Sequence, residues 1–136
     1  MKKKFVFLGD TDSINIEIIS KSHQSLKNKL KYIIIGNNEE LSIYLERLSS
    51  NLKINEIYDP IKFTDYKIDY LNIFNVQNIS HEKSDNLLNQ INISNYLANK
   101  SKFDLVTMPI NKSVFKKKID FTGMTEYFGK INNKNT

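Results

Sequence analysis

Short apolar runs alternate along this chain with longer stretches in which apolar residues recur at helical spacing. The apolar runs predict five strands, at about 4–8, 32–35, 54–57, 70–74 and 103–108. The helically spaced stretches predict helices at about 14–29, 39–51 and 80–100, and a short helix that ends near 115. Residues 58–69 have no clear period and contain Pro60, which predicts a loop. Strands that alternate with helices indicate an α/β fold with a largely parallel sheet.

The first predicted helix has an apolar side. Ile14, Ile18 and Ile19 lie on that side, and Asp12 or Ser13 just before them would cap the helix. The second predicted helix carries its apolar residues at the same spacing: Leu41, Tyr44, Leu45 and Leu48. No closing strand follows the last strand–helix unit, so the pattern predicts an α/β domain that ends early.

The composition excludes several kinds of site and segment. The 136 residues include no cysteine, which excludes disulfides, thiolate zinc sites and cysteine nucleophiles. No apolar run is long enough to span a membrane. The basic start at 2–4 is followed by only four apolar residues, too few for a secretion signal, so we expect a cytoplasmic protein.

The net charge of +5 and a pI near 9.3 raise the question of a nucleic-acid partner. Phosphate binders usually rely on arginine for bidentate contacts, and this chain has a single one, Arg47. Lysine, asparagine and isoleucine dominate the sequence, and all three have A/T-rich codons. Genome base composition therefore explains the charge, and we expect neither a nucleic-acid nor a membrane partner.

Three turns between predicted strands and helices carry candidate chemistry. In the first, Gly9 would allow a tight turn, and Asp10 would either contact a ligand hydroxyl or ammonium or simply brace the turn. In the second, Lys112 would reach a phosphate or carboxylate, or remain solvated at a helix start. In the third, the hydroxyls of Thr122 and Thr125 would hold a phosphate or a substrate hydroxyl, or cap a turn.

The two histidines add little to these candidates. His23 and His81 lie far apart in the sequence and have no neighbouring ligand pattern, so they do not predict a metal site. Neither histidine stands beside a serine in a way that predicts a nucleophile.

Taken together and in this order, the three turns resemble a known family. The sequence PINK at 109–112 is similar to the family pattern GP(I/V)NK, and FTGMTEYF at 121–128 is similar to (F/P)(T/P)GHTE(F/Y)F. The sequence GDTDSINIEI at 9–18 is similar to a divergent form of GDPAGIGPE(I/L). The family is 4-hydroxythreonine-4-phosphate dehydrogenase of vitamin B6 (pyridoxal 5'-phosphate) biosynthesis.

The resemblance implies a three-layer α/β/α fold of the isocitrate and isopropylmalate dehydrogenase type. By the resemblance, residues 1–136 would form its amino-terminal part, and the second half of the fold would be absent. It also implies a homodimer that oxidises a secondary alcohol of a phosphorylated small molecule with NAD or NADP and a divalent metal (zinc, magnesium or cobalt). By position in the motifs, the substrate-binding residues would be Asp10, Lys112, Met124 and Thr125.

The chain departs from the family pattern at functional positions, and these differences leave more than one interpretation of its function open. Met124 stands where the family has a histidine that contacts the substrate, and methionine donates no hydrogen bond. The family's metal-binding histidines lie further along the chain than residue 136. One interpretation is an amino-terminal portion of the dehydrogenase that is inactive alone and poorly soluble. The alternatives are a non-catalytic α/β module that binds a phosphorylated ligand, and a relative that acts on another four-carbon sugar-acid phosphate.

Overall fold

Five strands and three helices alternate along the described part of the chain. The computed structural model describes residues 2–9, 14–108, 110 and 132. The elements are β1 (Lys2–Phe7), α1 (Asn15–Leu26), β2 (Leu30–Gly36), α2 (Asn38–Arg47), β3 (Ile54–Glu56), β4 (Leu71–Asn75), α3 (Lys83–Ser101) and β5 (Asp104–Thr107). Every strand and all three long helices predicted from the apolar pattern are confirmed. The short helix predicted to end near 115 lies outside the described residues.

The five strands form one parallel sheet in the order β3-β4-β2-β1-β5. β2 lies at the centre, with Phe5 of β1 opposite Ile33 and Ile73 of β4 opposite Ile34. The connections through α1 carry the chain towards one edge, whereas α3 returns it from β4 to β5 at the other edge. Right-handed crossovers that run in opposite directions place their helices on opposite faces of the sheet. The predicted three-layer α/β/α class is therefore confirmed.

Each face of the sheet has its own apolar core. Tyr32 and Ile34 of β2 pack with the buried residues of α1 and α2, whereas Ile33 and Ile35 pack with Leu97 of α3. Successive side chains of a strand point to opposite faces, so the continuous apolar run of β2 fits a strand that is covered on both sides. None of the described helices is long and apolar enough to cross a bilayer.

The buried side of α1 is rotated by part of a turn from the apolar side that the sequence predicts. The buried residues of α1 are Asn15, Ile16, Ile19 and His23, whereas Ile14 is exposed and Ile18 is 43% exposed. The spacing of Ile16, Ile19 and His23 still fits one side of a helix. An apolar count does not include a histidine, and this shifts the predicted side towards Ile18.

The second correction concerns helix ends. α2 ends at Arg47 rather than near residue 51, and Ser49 adopts a left-handed backbone with φ of 52°. A left-handed residue just after the last turn is a common way for a helix to stop. α1 begins at Asn15 with Ile14 in the cap position, and the predicted capping residues Asp12 and Ser13 lie outside the described residues.

His23 is a buried structural residue of this fold. Its Nε2–H donates to the carbonyl oxygen of Ile68 at 3.1 Å, so its Nδ1 accepts from the hydroxyl of Tyr32 at 2.6 Å. Both bonds are satisfied by the neutral imidazole. Burial, the largest cause, lowers the pKa of His23 below its usual 6.5. The residue therefore ties α1, β2 and the segment before β4 together while uncharged.

This arrangement predicts that acid destabilises the fold through His23. The unfolded chain binds the proton near pH 6.5 and the folded chain only at lower pH. The stabilisation is therefore complete above pH 6.5 and is lost as the pH falls through the lowered pKa of the folded state. In urea unfolding from pH 7.5 to 5, His23→Gln offers a hydrogen-bond donor and an acceptor but does not titrate, so we expect it to flatten the pH dependence. His81→Gln is the matched control, and an equal flattening by it would contradict the assignment.

An apolar groove of about 290 Å³ lies between α1 and β5 and is open to solvent. Ile18 and Leu26 of α1 form one wall, and Val106 and Met108 at β5 form the other. Val106 is exposed although β5 pairs with β1, whose Phe5 and Phe7 are buried. An open apolar surface on a sheet promotes association between molecules.

We expect molecules of this chain to associate through the groove, because its exposed apolar surface would also cause the poor solubility that the sequence predicts. Replacing Ile18 by Gln should shift the chain towards monomer in sedimentation equilibrium, because it removes apolar surface from the groove wall. Ile43→Gln is the matched control, since Ile43 is 48% exposed on α2 and does not line the groove. A monodisperse wild-type monomer with a sharp, cooperative melt would contradict the expectation.

Candidate functional site

The carboxyl ends of four strands meet along one edge of the sheet. Phe7, near the end of β1, lies opposite Ile35 of β2 on one side and Thr107 of β5 on the other. Gly36 of β2 lies opposite Asn75 of β4. The segments that follow these strands therefore leave the sheet side by side, and this is the edge at which open α/β sheets bind ligands.

The turn after β1 is fixed by its backbone and by a buried amide. Gly9 has a left-handed φ of 76°, which agrees with the prediction that glycine allows the chain to turn tightly here. Asn15, at the start of α1, is buried and donates from Nδ2 to the carbonyl oxygen of Leu8 at 3.1 Å. Asn15 therefore holds the two ends of this turn together, a role that the sequence pattern does not predict.

The turn after β5 leaves the sheet beside the turn after β1. The backbone N–H of Met108 donates to the carbonyl oxygen of Phe7 at 3.0 Å, and Leu8 donates to Ile35 in the same way at 3.2 Å. Two of the three predicted site motifs therefore begin at neighbouring positions on one edge of the sheet.

The four predicted substrate-binding residues lie outside the described residues. They are Asp10, Lys112, Met124 and Thr125. Their assignment stays a prediction. The structure brings together the strand ends from which the segments that carry Asp10 and Lys112 depart.

A second set of contacts at this edge joins β2 to β4. Asn37 caps α2, since its side-chain oxygen accepts from the N–H of Glu40 at 3.0 Å, and its Nδ2 donates to the carbonyl oxygen of Val76 at 3.2 Å. The side chain of Asn75 accepts from the N–H of Asn38 at 2.8 Å. Side chains therefore fix the two segments to each other where regular strand pairing ends.

Removing the Asn37 side chain should destabilise the fold by about 2 kcal/mol, because the helix cap and the partner of the Val76 carbonyl are lost together. Asn38→Ala is the matched control, because the side chain of Asn38 has no hydrogen-bond partner among the described residues. We expect the control to change the free energy of unfolding in urea by less than about 0.5 kcal/mol. Equal effects of the two variants would contradict this role of Asn37.

A polar cavity of about 370 Å³ opens between α2 and the start of α3. We call it the α2–α3 cavity, and its lining residues are Glu40, Tyr44, Asn78, Ser80, His81, Lys83, Asn86, Leu87 and Gln90. The sequence pattern does not predict this cavity. The only available signal was the helical spacing of the polar residues at 83, 86 and 90 within a predicted helix.

Histidines and carboxylates do not converge on a metal site in the described part of the chain. Across residues 2–9 and 14–108, no group of three or more histidine, aspartate or glutamate side chains lies close enough together to hold an ion. Both nitrogens of His23 are already hydrogen-bonded, and His81 lies at the rim of the α2–α3 cavity. The described residues therefore do not fit the divalent metal that the family resemblance implies.

Comparison with known proteins places this chain beside one enzyme family. No family model matches the sequence. The chain is 32% identical to a 4-hydroxythreonine-4-phosphate dehydrogenase from Campylobacter fetus over 99% of its own length, and it spans 42% of that relative.

Solved structures show the same fold in longer proteins. A 4-hydroxythreonine-4-phosphate dehydrogenase from Burkholderia phymatum superimposes with a TM-score of 0.85 at 19% identity, over 100% of this chain and 45% of its own. The enzyme from Klebsiella pneumoniae gives 0.84 at 19% identity, over 99% of this chain and 46% of its own. A putative enzyme from Salmonella typhimurium gives 0.83 at 16% identity, over 100% and 46%.

The chain thus spans less than half the length of the proteins that it matches. In sequence over nearly its whole length, and in fold, it is similar to part of the 4-hydroxythreonine-4-phosphate dehydrogenases, which confirms the resemblance that its motifs predict.

Proposed function

We propose that this chain is the amino-terminal part of a 4-hydroxythreonine-4-phosphate dehydrogenase of vitamin B6 biosynthesis. The observation that carries the proposal is the 32% identity to the Campylobacter fetus enzyme over 99% of the chain. The parallel sheet supports it, because the segments with the first two motifs leave adjacent strands at the ligand-binding edge.

In this proposal the chain supplies the first half of a substrate site. The ammonium group of Lys112 neutralises the substrate phosphate, and Asp10 accepts a hydrogen bond from a substrate hydroxyl or ammonium group. The hydroxyl of Thr125 donates to the substrate, and Met124 contacts it without a hydrogen bond. When bound, the nicotinamide ring of NAD or NADP would accept a hydride from the secondary alcohol of the substrate.

For the whole protein, the proposal also includes a cytoplasmic location, a homodimeric assembly and a bound divalent metal. No described residue of this chain is assigned to that metal. We therefore propose that residues 1–136 bind substrate incompletely and do not turn it over alone.

The isolated chain should show no NAD-dependent oxidation of 4-phosphohydroxythreonine, with or without added zinc or magnesium. A chimaera that joins residues 1–136 to the remaining part of the Campylobacter fetus relative should turn the substrate over, because it combines both halves of the site. The measurement is NADH absorbance in both preparations. Turnover by the isolated chain would contradict the proposed division of the site, and a folded but inactive chimaera would contradict the proposed function.

A second candidate function is a non-catalytic module that binds a phosphorylated ligand. The observation that favours it is Met124, at the position where the family motif has a substrate-contacting histidine. A chimaera that binds 4-phosphohydroxythreonine in equilibrium dialysis without oxidising it would support this candidate over the first.

A further inference from the structure

Gln90 is a buried polar residue whose side chain has no hydrogen-bond partner in the part of the chain that the structure describes. It lies on α3, is 3% exposed and lines the α2–α3 cavity. Its backbone carbonyl accepts from the hydroxyl of Ser94 at 2.7 Å, but nothing bonds to its amide group. A largely buried polar side chain that bonds to no protein group is unusual, and its partner in an open cavity is water or a ligand.

The amide of Gln90 reaches the space of the cavity. Among the described residues, every side-chain nitrogen or oxygen that is fully shielded from solvent has a hydrogen-bond partner. Since the Gln90 amide has none, its polar atoms are not fully shielded, and the cavity that Gln90 lines is the space they contact. An amide offers both a donor and an acceptor, which is the pattern that a ligand hydroxyl matches.

The other end of the cavity favours an anion. It lies at the start of α3, where no side chain caps the helix and the helix dipole is positive. Lys83 and His81 line this end, and Ser80 contributes a hydroxyl. An oxyanion placed here would meet a lysine ammonium and the N-terminal turn of a helix of 19 residues.

A carboxylate on the α2 side limits which ligands fit. Oε1 of Glu40 accepts from Nδ2 of Asn78 at 3.3 Å, and both residues line the cavity. Glu40 would repel a second anionic group but can accept a hydrogen bond from a hydroxyl. The lining therefore favours a ligand with one anionic end and a hydroxyl-bearing tail.

The spacing along α3 suits a small molecule. Lys83 and Gln90 are seven residues apart, a rise of about 10 Å along the helix. Side chains on a helix all lean towards its N-terminus, so the two groups stay about 10 Å apart along the axis. A three-carbon chain with a terminal oxyanion spans that distance when each end is joined to the protein by a hydrogen bond of about 3 Å, and the volume of about 370 Å³ accommodates it.

We propose that the α2–α3 cavity binds a small polyol that carries one oxyanion, with the phosphate or carboxylate at the start of α3 and a hydroxyl on the Gln90 amide. None of the predicted substrate residues lines this cavity, so the site is independent of the proposed dehydrogenase function.

The test is a titration of the full chain with glycerol 3-phosphate, followed by the backbone amide signals of residues 83–90 in two-dimensional NMR. We expect saturable shifts, and we expect Gln90→Leu to weaken binding about fivefold because one hydrogen bond is lost. Lys83→Met should weaken it by about fivefold or more. Lys53→Met changes the net charge equally at an exposed lysine outside the cavity and should leave binding unchanged.

Inorganic phosphate distinguishes loss of the ligand contact from loss of the fold. Phosphate reaches the start of α3 but not Gln90, so Gln90→Leu should leave phosphate binding unchanged. If Gln90→Leu unfolds the chain, Gln90→Met replaces it in the same titrations. Glycerate in place of glycerol 3-phosphate separates carboxylate from phosphate as the preferred anion, and binding of either supports the proposal. Absence of saturable shifts with both, or equal weakening by Lys53→Met and Lys83→Met, would overturn it.

Discussion

Burial of β2 on both faces is the constraint on which the rest of this structure depends. Ile33, Ile34 and Ile35 are fully shielded from solvent, and they alternate between the two sides of the sheet. A strand of this kind needs helices above and below it, so the chain must cross in both directions. The strands then end together at one edge, and the candidate site segments begin there.

The sequence predicts the elements of this fold because its strands are short apolar runs, whereas its helices have apolar residues at helical spacing. Its failures occur where polar residues take part in the core. His23 is buried on α1, whereas the apolar residues of the sequence continue through Ile18. The predicted apolar face of α1 is therefore rotated away from the face that is buried. Whether a histidine is buried depends on partners such as Tyr32 and the carbonyl of Ile68, and these come from distant parts of the chain.

Asparagine shows the same limit in another form. Asn72 is buried at β4, where it accepts from the N–H of Lys67 at 2.9 Å and donates to the carbonyl oxygens of Lys67 and Tyr70. It fixes the end of a segment that the sequence predicts only as an irregular loop. The bonds of Asn15 and Asn37 are equally invisible in a pattern, because each depends on a carbonyl that the fold brings near. The site motifs, by contrast, are recognisable in the sequence because they are contiguous.

The relation of this chain to its longer relatives connects its fold with its proposed chemistry. It superimposes on less than half of each solved structure, and its apolar groove lies beside β5, the last described strand. In the proposed function, this sheet carries the first half of a substrate site, and its α1–β5 groove is open to solvent. The central claim of that proposal is that the sequence at 121–128 corresponds to the family's substrate-contacting motif.

The most direct test of that claim is the kcat/KM of the chimaera for 4-phosphohydroxythreonine before and after Met124→His. We predict an increase of about tenfold, mainly through a lower KM, because the histidine restores a hydrogen bond to a charged substrate. An unchanged or lower kcat/KM in a folded chimaera would contradict it.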